Sequence, residues 1–159
     1  MSLKSSHDPM ADLPVDQFLT YRIARLQAKL NAQAKEVLAR TSGLSLTQWR
    51  VLAMIGSREP VRPSDLTRDS GFDKGLFSRT TKSLAAEGLV LATTEPRDHR
   101  VQRLTLTPQG RAVFQRTLPT MQARQRALKS SLSEAEAHAL MNALEKLEQA
   151  ADAAVPPDP

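Results

Sequence analysis

The sequence contains no cysteine and few aromatic residues, and both shortages narrow what the protein can do. Without cysteine, disulfide bonds, thiolate metal sites and thiol-based redox switching are excluded. Aromatic residues make up only 4% of the 159 residues, which argues against the stacking platforms of proteins that bind RNA or single strands. No run approaches the ~18 apolar residues of a membrane span, and residues 1–10 have no apolar signal core. We therefore expect a cytoplasmic protein with no membrane partner.

Residue groups that are typical of enzymes and metal sites are also missing from the sequence. The histidines, His7, His99 and His138, are scattered, with no cysteine partner and no His-x-x-x-His pair, so a zinc site is not expected. The sequence has no glycine-rich phosphate loop and no Gly-x-Ser-x-Gly elbow. These absences predict a protein that is not an enzyme and holds neither a metal nor a cofactor.

Positive charge is in excess and unevenly distributed. The net charge is +5, and 40% hydrophobic with 25% charged residues is the composition of one ordinary globular unit. Between Asp98 and Glu134 there is no acidic residue, although solvated helix faces usually mix both signs. The same interval contains seven basic residues: Arg100, Arg103, Arg111, Arg116, Arg124, Arg126 and Lys129. This bias favours an anionic partner.

The first third of the chain has the spacing of two helices. From Pro14 to about Arg40, apolar residues recur at three- and four-residue steps, which predicts a long amphipathic helix. Gly43 is expected to end that helix, and Thr47 to cap a shorter one. The buried face of the shorter helix is predicted to comprise Trp49, Leu52, Ala53 and Ile55.

Two more short helices follow, joined by a turn that contains a glycine. Ser64 can cap the first, which Gly71 ends, and Asp73 can cap the second, which runs to about Glu87 before Gly88. This pair has the form of a helix-turn-helix. The residues of the second helix expected to face inward are Phe77, Thr80 or Thr81, and Leu84.

A charged hairpin comes next. The segments "LVLATTE" and "QRLTLT" are short and rich in β-branched residues, which predicts two antiparallel strands with Leu104 and Leu106 facing inward. The charged residues between them are expected to form a turn.

Two further helices are predicted after the hairpin. Thr107 followed by Pro108 is a typical helix start, and Pro119 should kink or split the helix that begins there. Ser133 with Glu136 spells a capping box for the last helix. Its narrow apolar stripe comprises Leu140, Ala143, Leu144 and Leu147.

This order of elements predicts a mainly α protein with a small β-hairpin wing, an α+β winged helix-turn-helix. We expect one unit over residues 14–154, between flexible tails at 1–13 and 155–159. Within it, the winged helix-turn-helix takes residues 44–107, with a recognition helix at about 73–87 and the wing at about 89–107.

The predicted second helix of the helix-turn-helix carries a basic stripe. Lys74, Ser78 and Lys82 are spaced four apart, Arg79 lies beside them, and no carboxylate occurs from residue 74 to 86. In a major groove, Arg79 could bond a guanine edge while the lysines and the serine hydroxyl contact phosphates. The stripe also fits a solvated basic helix face that binds nothing.

The hairpin turn holds Arg97, Asp98 and Arg100. A wing-tip arginine can enter the narrow minor groove of duplex DNA, because the potential is more negative there. Arg100 is the best candidate, Asp98 could orient its guanidinium, and Arg97 is an additional contact. Two alternatives remain: a surface turn with no ligand, and a winged helix that binds proteins without sequence-specific DNA recognition.

Three segments resemble the MarR family of bacterial winged-helix transcriptional regulators, named for multiple antibiotic resistance. They are "LTQWRVL", "DKGLFSRTTKSLAAEGLV" and "PRDHRVQRLTLTPQG", and the likeness spans Pro14 to Ala154. The resemblance implies a nucleoid-associated homodimer whose dimerisation helices lie in residues 14–43 and 108–154. It also implies a pseudo-palindromic double-stranded operator, repression, and a small-molecule effector, commonly an aromatic or phenolic acid.

Overall fold

A computed structural model describes the protein over residues 13–95 and 98–153, with the backbone alone for residues 69–70 and 98–101. A short 3-10 turn, Val15–Gln17, comes first. The remaining elements, in chain order, are α1 (Leu19–Thr41), α2 (Leu46–Arg58), α3 (Pro63–Ser70), α4 (Lys74–Ala86), β1 (Val90–Glu95), β2 (Asp98–Leu106), α5 (Pro108–Lys129) and α6 (Glu134–Asp152). The predicted fold class, mainly helical with a helix-turn-helix followed by a hairpin, is confirmed. The tails predicted at 1–13 and 155–159 lie outside the described residues except for Leu13.

Residues up to Leu118 form one compact unit, and its apolar core lies among α2, α3, α4 and the hairpin. The fully buried side chains of this core include Leu52, Ile55, Leu66, Leu84 and Leu104. Val61 and Leu104 exchange two backbone hydrogen bonds of 3.1 and 2.8 Å, which fix the segment before α3 against β2. The helix-turn-helix and the hairpin therefore share one core, and burial of its apolar surface stabilises both together.

Two predicted helix caps are wrong by two residues. α2 begins after Ser45, whose hydroxyl accepts from the Gln48 backbone N–H, while the Gln48 side chain accepts from the Ser45 N–H. This reciprocal capping box satisfies two backbone donors, so Thr47 falls inside the first turn. α3 begins at Pro63 with Arg62 as its cap, because proline at the first helical position needs no hydrogen bond for its nitrogen. Ser64 is thus inside α3.

The caps and stops of α4 are as predicted. Asp73 caps the helix through a 2.7 Å hydrogen bond that its side chain accepts from the Leu76 N–H. Gly71 and Gly88, on either side, have φ values of 64° and 72°, a left-handed conformation that other residues adopt at a cost. The recognition helix predicted at about 73–87 therefore has its ends set by short-range contacts.

The first long helix differs from the prediction at its start. Phe18 has a ψ of 137°, which separates the 3-10 turn from α1, so no continuous helix begins at Pro14. Only Ala34 and Leu38 of α1 are buried. Large apolar side chains remain exposed along this segment: Val15, Phe18, Leu19, Ile23 and Leu26.

The hairpin pairs antiparallel from Val90 with Leu106 to Thr94 with Gln102. Its register then shifts, and Glu95 pairs with Asp98. This shift is a bulge-type irregularity of the hairpin. Asp98 and Arg100 belong to β2, so their predicted place in the turn is wrong. Leu104 and Leu106 are buried, as predicted.

Helix α5 begins as predicted, with the Thr107 hydroxyl accepting from the Gly110 N–H at 3.0 Å. Helix α5 continues through the exposed Pro119 to Lys129, so of the two predicted effects of this proline, a kink or a split, the split does not occur. α6 begins with the predicted capping box, formed by Ser133 and Glu136. The Glu136 carboxylate accepts hydrogen bonds from the Ser133 backbone N–H, which has the larger effect, and from the Ser133 hydroxyl, and both lower the pKa of Glu136. Within the described ranges, every helix is too short or too polar to span a lipid bilayer.

Candidate nucleic-acid interface

Helix α4 is oriented by one buried face. Phe77, Thr80 and Leu84 point into the core at three- and four-residue spacing, which leaves the opposite side of the helix in solvent. Thr80 is the inward threonine of the two that the sequence left open, and its hydroxyl donates to the Leu76 carbonyl at 2.8 Å. The structure places all the sequence-predicted residues of this helix in solvent: Lys74, Ser78, Arg79 and Lys82.

The far end of α4 is held by polar contacts to α2. The Gln48 side-chain amide donates to Glu87 Oε1 at 2.7 Å, and the Ser83 hydroxyl donates to the same oxygen at 2.9 Å. The Leu89 N–H donates to the Leu84 carbonyl at 2.9 Å and closes the helix. Because both ends of α4 are tied down, its exposed face is presented on a rigid support.

The exposed surface of α4 divides into two sides. Lys74, Ser78 and Lys82 line a groove of about 820 Å³ that α4 shares with α3 and the hairpin. Arg79 is not among the lining residues, and its guanidinium turns back toward Gly75, where a Cβ atom would lie 3.3 Å from Arg79 Nη1. The basic stripe and the arginine therefore face different directions.

The hairpin brings further polar groups to this surface. Gln102 is exposed and lines the groove, together with Ala92 and Leu104 of the same hairpin. Arg103, on the other side of β2, lies with its Nη2 atom 3.4 Å from Glu95 Oε1 and is held as an ion pair across the two strands. Arg103 thus stabilises the hairpin itself.

Part of the predicted wing lies outside the described residues. Arg97 is not described, and Asp98 and Arg100 are described by their backbone alone, as residues of β2. The contact predicted between the Asp98 carboxylate and the Arg100 guanidinium therefore also lies outside the described part of the chain. These three residues remain predictions from the sequence.

Comparisons with known proteins agree with this architecture. Residues 42–101 match the sequence model of the MarR family. An uncharacterized HTH-type transcriptional regulator of Bacillus anthracis is 27% identical over 110 residues, 69% of this chain and 72% of the relative. A MarR/EmrR family transcriptional regulator from Acinetobacter sp. ADP1 has a crystal structure with a TM-score of 0.79 at 24% identity, covering 88% of this chain and 99% of that one.

Over residues 42–101, the chain is similar to the MarR family of transcriptional regulators. Two further MarR-type structures share its fold. Bordetella bronchiseptica BpsR, whose DNA binding is regulated by 6-hydroxynicotinic acid, has a TM-score of 0.76 at 22% identity and covers 89% of this chain and 99% of its own. S. aureus MepR, solved with DNA, has a TM-score of 0.76 at 16% identity, and the match covers 84% of this chain and 98% of the MepR chain. At these identities, the likeness shows the fold.

The groove beside the basic stripe was not predicted from the sequence. Ser64, Thr67, Arg68 and Gln102 line it, and none of them was singled out from the sequence as a site residue. Of these four, Gln102 could have been found from the sequence, because it lies two residues from the inward-facing Leu104 and therefore on the same face of the predicted strand. Among the described residues, no group of three or more histidine, aspartate or glutamate side chains is arranged to hold a metal ion.

Proposed function

We propose that this protein is a MarR-family homodimer that binds a pseudo-palindromic double-stranded operator and acts as a ligand-responsive repressor. One observation carries the proposal: the exposed side of α4 is basic, free of carboxylates from residue 74 to 86, and lies beside the hairpin in the same compact unit. A recognition helix enters the major groove with such a surface, since cations neutralise phosphates and donors meet base edges.

Each exposed residue of α4 has its own part in the proposed complex. Arg79 makes bidentate hydrogen bonds to a guanine edge, because its fork of donors matches the two acceptors that guanine presents in the major groove. Lys74, Ser78 and Lys82 bind phosphate oxygens. In the wing, Arg100 enters the minor groove, Asp98 orients it, and Arg97 assists.

Dimerisation is supported by the apolar surface that α1 and α6 expose. Leu19 and Leu26 of α1 are each 55% exposed, and Met141 of α6 is 64% exposed. Exposed apolar residues in such number mark surfaces that another chain covers. In the proposed dimer, the helices within 14–43 and 108–154 supply that cover, and two recognition helices read half-sites about 10 base pairs apart or a multiple of that.

Regulation by a small aromatic or phenolic acid is the last part of the proposal. BpsR, whose fold this chain shares, responds to 6-hydroxynicotinic acid. An effector releases DNA by binding better to a dimer whose recognition helices are wrongly spaced for the operator. Repression is then relieved when the acid accumulates.

Selection of bound duplexes from a random pool tests the proposal. We expect enrichment of an inverted repeat, bound by a particle of twice 17.5 kDa, and release of that duplex in a screen of small aromatic acids. Enrichment without two-fold symmetry would contradict the dimeric operator. Failure to enrich any sequence, together with unchanged elution of the protein in gel filtration with genomic DNA fragments, would favour a protein-interaction module instead.

A further inference from the structure

The groove between α4 and the hairpin has the chemistry of a phosphate site. Among the described residues, its lining includes three cationic side chains, Arg68, Lys74 and Lys82, and no carboxylate. Asp65, outside the lining, lies 3.5 Å from Arg68 and offsets part of that charge. The two lysines of α4 therefore dominate the electrostatics of the groove.

Hydrogen-bond donors project from both walls of the groove. The Thr67 and Thr81 hydroxyls already donate to backbone carbonyls of their own helices, at 3.2 Å or less. Further donors in the lining are the two lysines and Ser78 on the α4 wall, Ser64 and Arg68 on the α3 wall, and the amide of Gln102 on the hairpin wall. An anion in the groove would therefore accept hydrogen bonds from two sides, which fixes its position as well as its charge.

Gln102 is directed into the groove by the register of the hairpin. Leu104, two residues further along β2, is buried against the core, and Ala92 pairs with it from β1. Since alternate residues of a strand share a face, Gln102 continues the face of Leu104 beyond the core and into solvent. Its exposed amide stands opposite the basic stripe because of this packing.

The geometry of duplex DNA identifies the occupant. When α4 lies in the major groove and the hairpin in the adjoining minor groove, the sugar-phosphate strand that separates these two grooves must pass between them. We propose that the groove holds this one strand, and that Gln102 is a phosphate contact that closes the site from the hairpin side. This inference rests on the proposed function. Phe72, Phe77 and Leu104, on the groove's apolar floor, suit the deoxyribose rings.

Two glutamate variants on opposite faces of the hairpin test the inference. Gln102→Glu keeps the shape of the side chain and adds a negative charge inside the groove. Thr93→Glu is the matched control, because Thr93 is exposed and pairs with Arg103 on the other face. Both variants of the full chain are titrated with one mixed-sequence duplex at several salt concentrations, since phosphate contacts act on any sequence.

We expect Gln102→Glu to weaken duplex binding about tenfold and to lower the salt slope by about one unit, and Thr93→Glu to change affinity less than about threefold. If the two variants weaken duplex binding equally and their thermal melting is unchanged, the proposed phosphate contact in the groove is overturned, while the proposal that the protein binds DNA is not. Failure of the parent chain to bind any duplex would overturn the proposed function as well. If Gln102→Glu weakens the binding of benzoate but not of the duplex, the occupant of the groove is a small acid, and the proposed phosphate contact is overturned as well.

Discussion

Glu59 and Arg111 form an ion pair in which Arg111 Nη2 lies 2.5 Å from Glu59 Oε1. The Glu59 side chain is only 12% exposed, and its other oxygen accepts a 2.6 Å hydrogen bond from the Leu106 N–H. One carboxylate thus connects the end of α2, the end of β2 and the start of α5. Arg111 is one of the basic residues of the acid-free interval, yet it is engaged within the fold and contributes little to binding an anion.

Removal of this carboxylate should destabilise the fold. In Glu59→Ala, the Leu106 N–H loses its acceptor and Arg111 loses its partner, with an expected cost of about 2–3 kcal/mol in the free energy of unfolding. Glu59→Gln keeps an oxygen for the N–H and should lose less. Urea unfolding at one fixed protein concentration measures both. Equal losses in the two variants would show that the ion pair, not the hydrogen bond, carries the stability.

Gly110 is required by a close backbone approach. A Cβ atom at Gly110 would overlap the Leu89 carbonyl oxygen and lie 2.8 Å from the carbonyl carbon, a clash that only a backbone shift can relieve. We expect Gly110→Ala to destabilise the protein by about 3 kcal/mol or more, although alanine normally stabilises a helix relative to glycine by up to about 1 kcal/mol. Gly75→Ala is the control, because a Cβ there would lie 3.1 Å from Asp73 Oδ1 and 3.3 Å from Arg79 Nη1, which are side-chain atoms and not backbone. A gain in stability for both variants would contradict the close approach.

Short-range patterns predicted α4 well, because its determinants are local. Asp73 and Gly88 set its ends within a few residues, and the spacing of Phe77 and Leu84 set its buried face. The cap of α2 was placed wrongly, since Ser45 and Thr47 are both good cap residues. The Gln48 side chain accepts a hydrogen bond from the Ser45 N–H, and this second bond of the capping box makes Ser45 the cap.

The groove could not be read from periodicity, because it forms only when the hairpin packs on α3 and α4. Gln102 lies 28 positions after Lys74 in the chain, and nothing in either segment alone indicates that they line one surface. The pairing of Arg103 with Glu95 likewise depends on strand register, which shifts between Thr94 and Glu95. Tertiary packing therefore determines the groove and the Arg103–Glu95 pair, the parts of the candidate site that local sequence patterns do not predict.

Arg79→Ala should remove recognition at one base position. Loss of a bidentate contact costs about 1–3 kcal/mol of discrimination, and the loss should appear only where the operator presents the contacted guanine. Binding to a panel of single-base operator variants measures it. Lys82→Ala is the comparison, since a lost phosphate contact weakens every member of the panel alike. A uniform loss for Arg79→Ala would reassign Arg79 to the phosphates.

Arg100→Ala tests the wing. We expect weaker DNA binding and a salt slope lower by about one unit, the change for one lost cationic contact. Arg103→Ala, three residues further along β2, is the control, because its guanidinium pairs with Glu95 within the hairpin. A salt titration that gives the same affinity and slope for Arg100→Ala as for the parent would exclude Arg100 from the interface.

Leu26→Glu tests the dimer through the exposed apolar surface of α1. If a second copy covers Leu26, burial of the new carboxylate without a partner should weaken dimerisation by about a hundredfold or more. Light scattering after gel filtration should then report a mass near 17.5 kDa instead of twice that value. Ala28→Glu adds the same charge on the opposite side of the helix, since two residues turn it by about 200°, and should leave the dimer intact. A dimer that survives Leu26→Glu, or dissociates equally in both variants, would show that this stripe of α1 is not the interface.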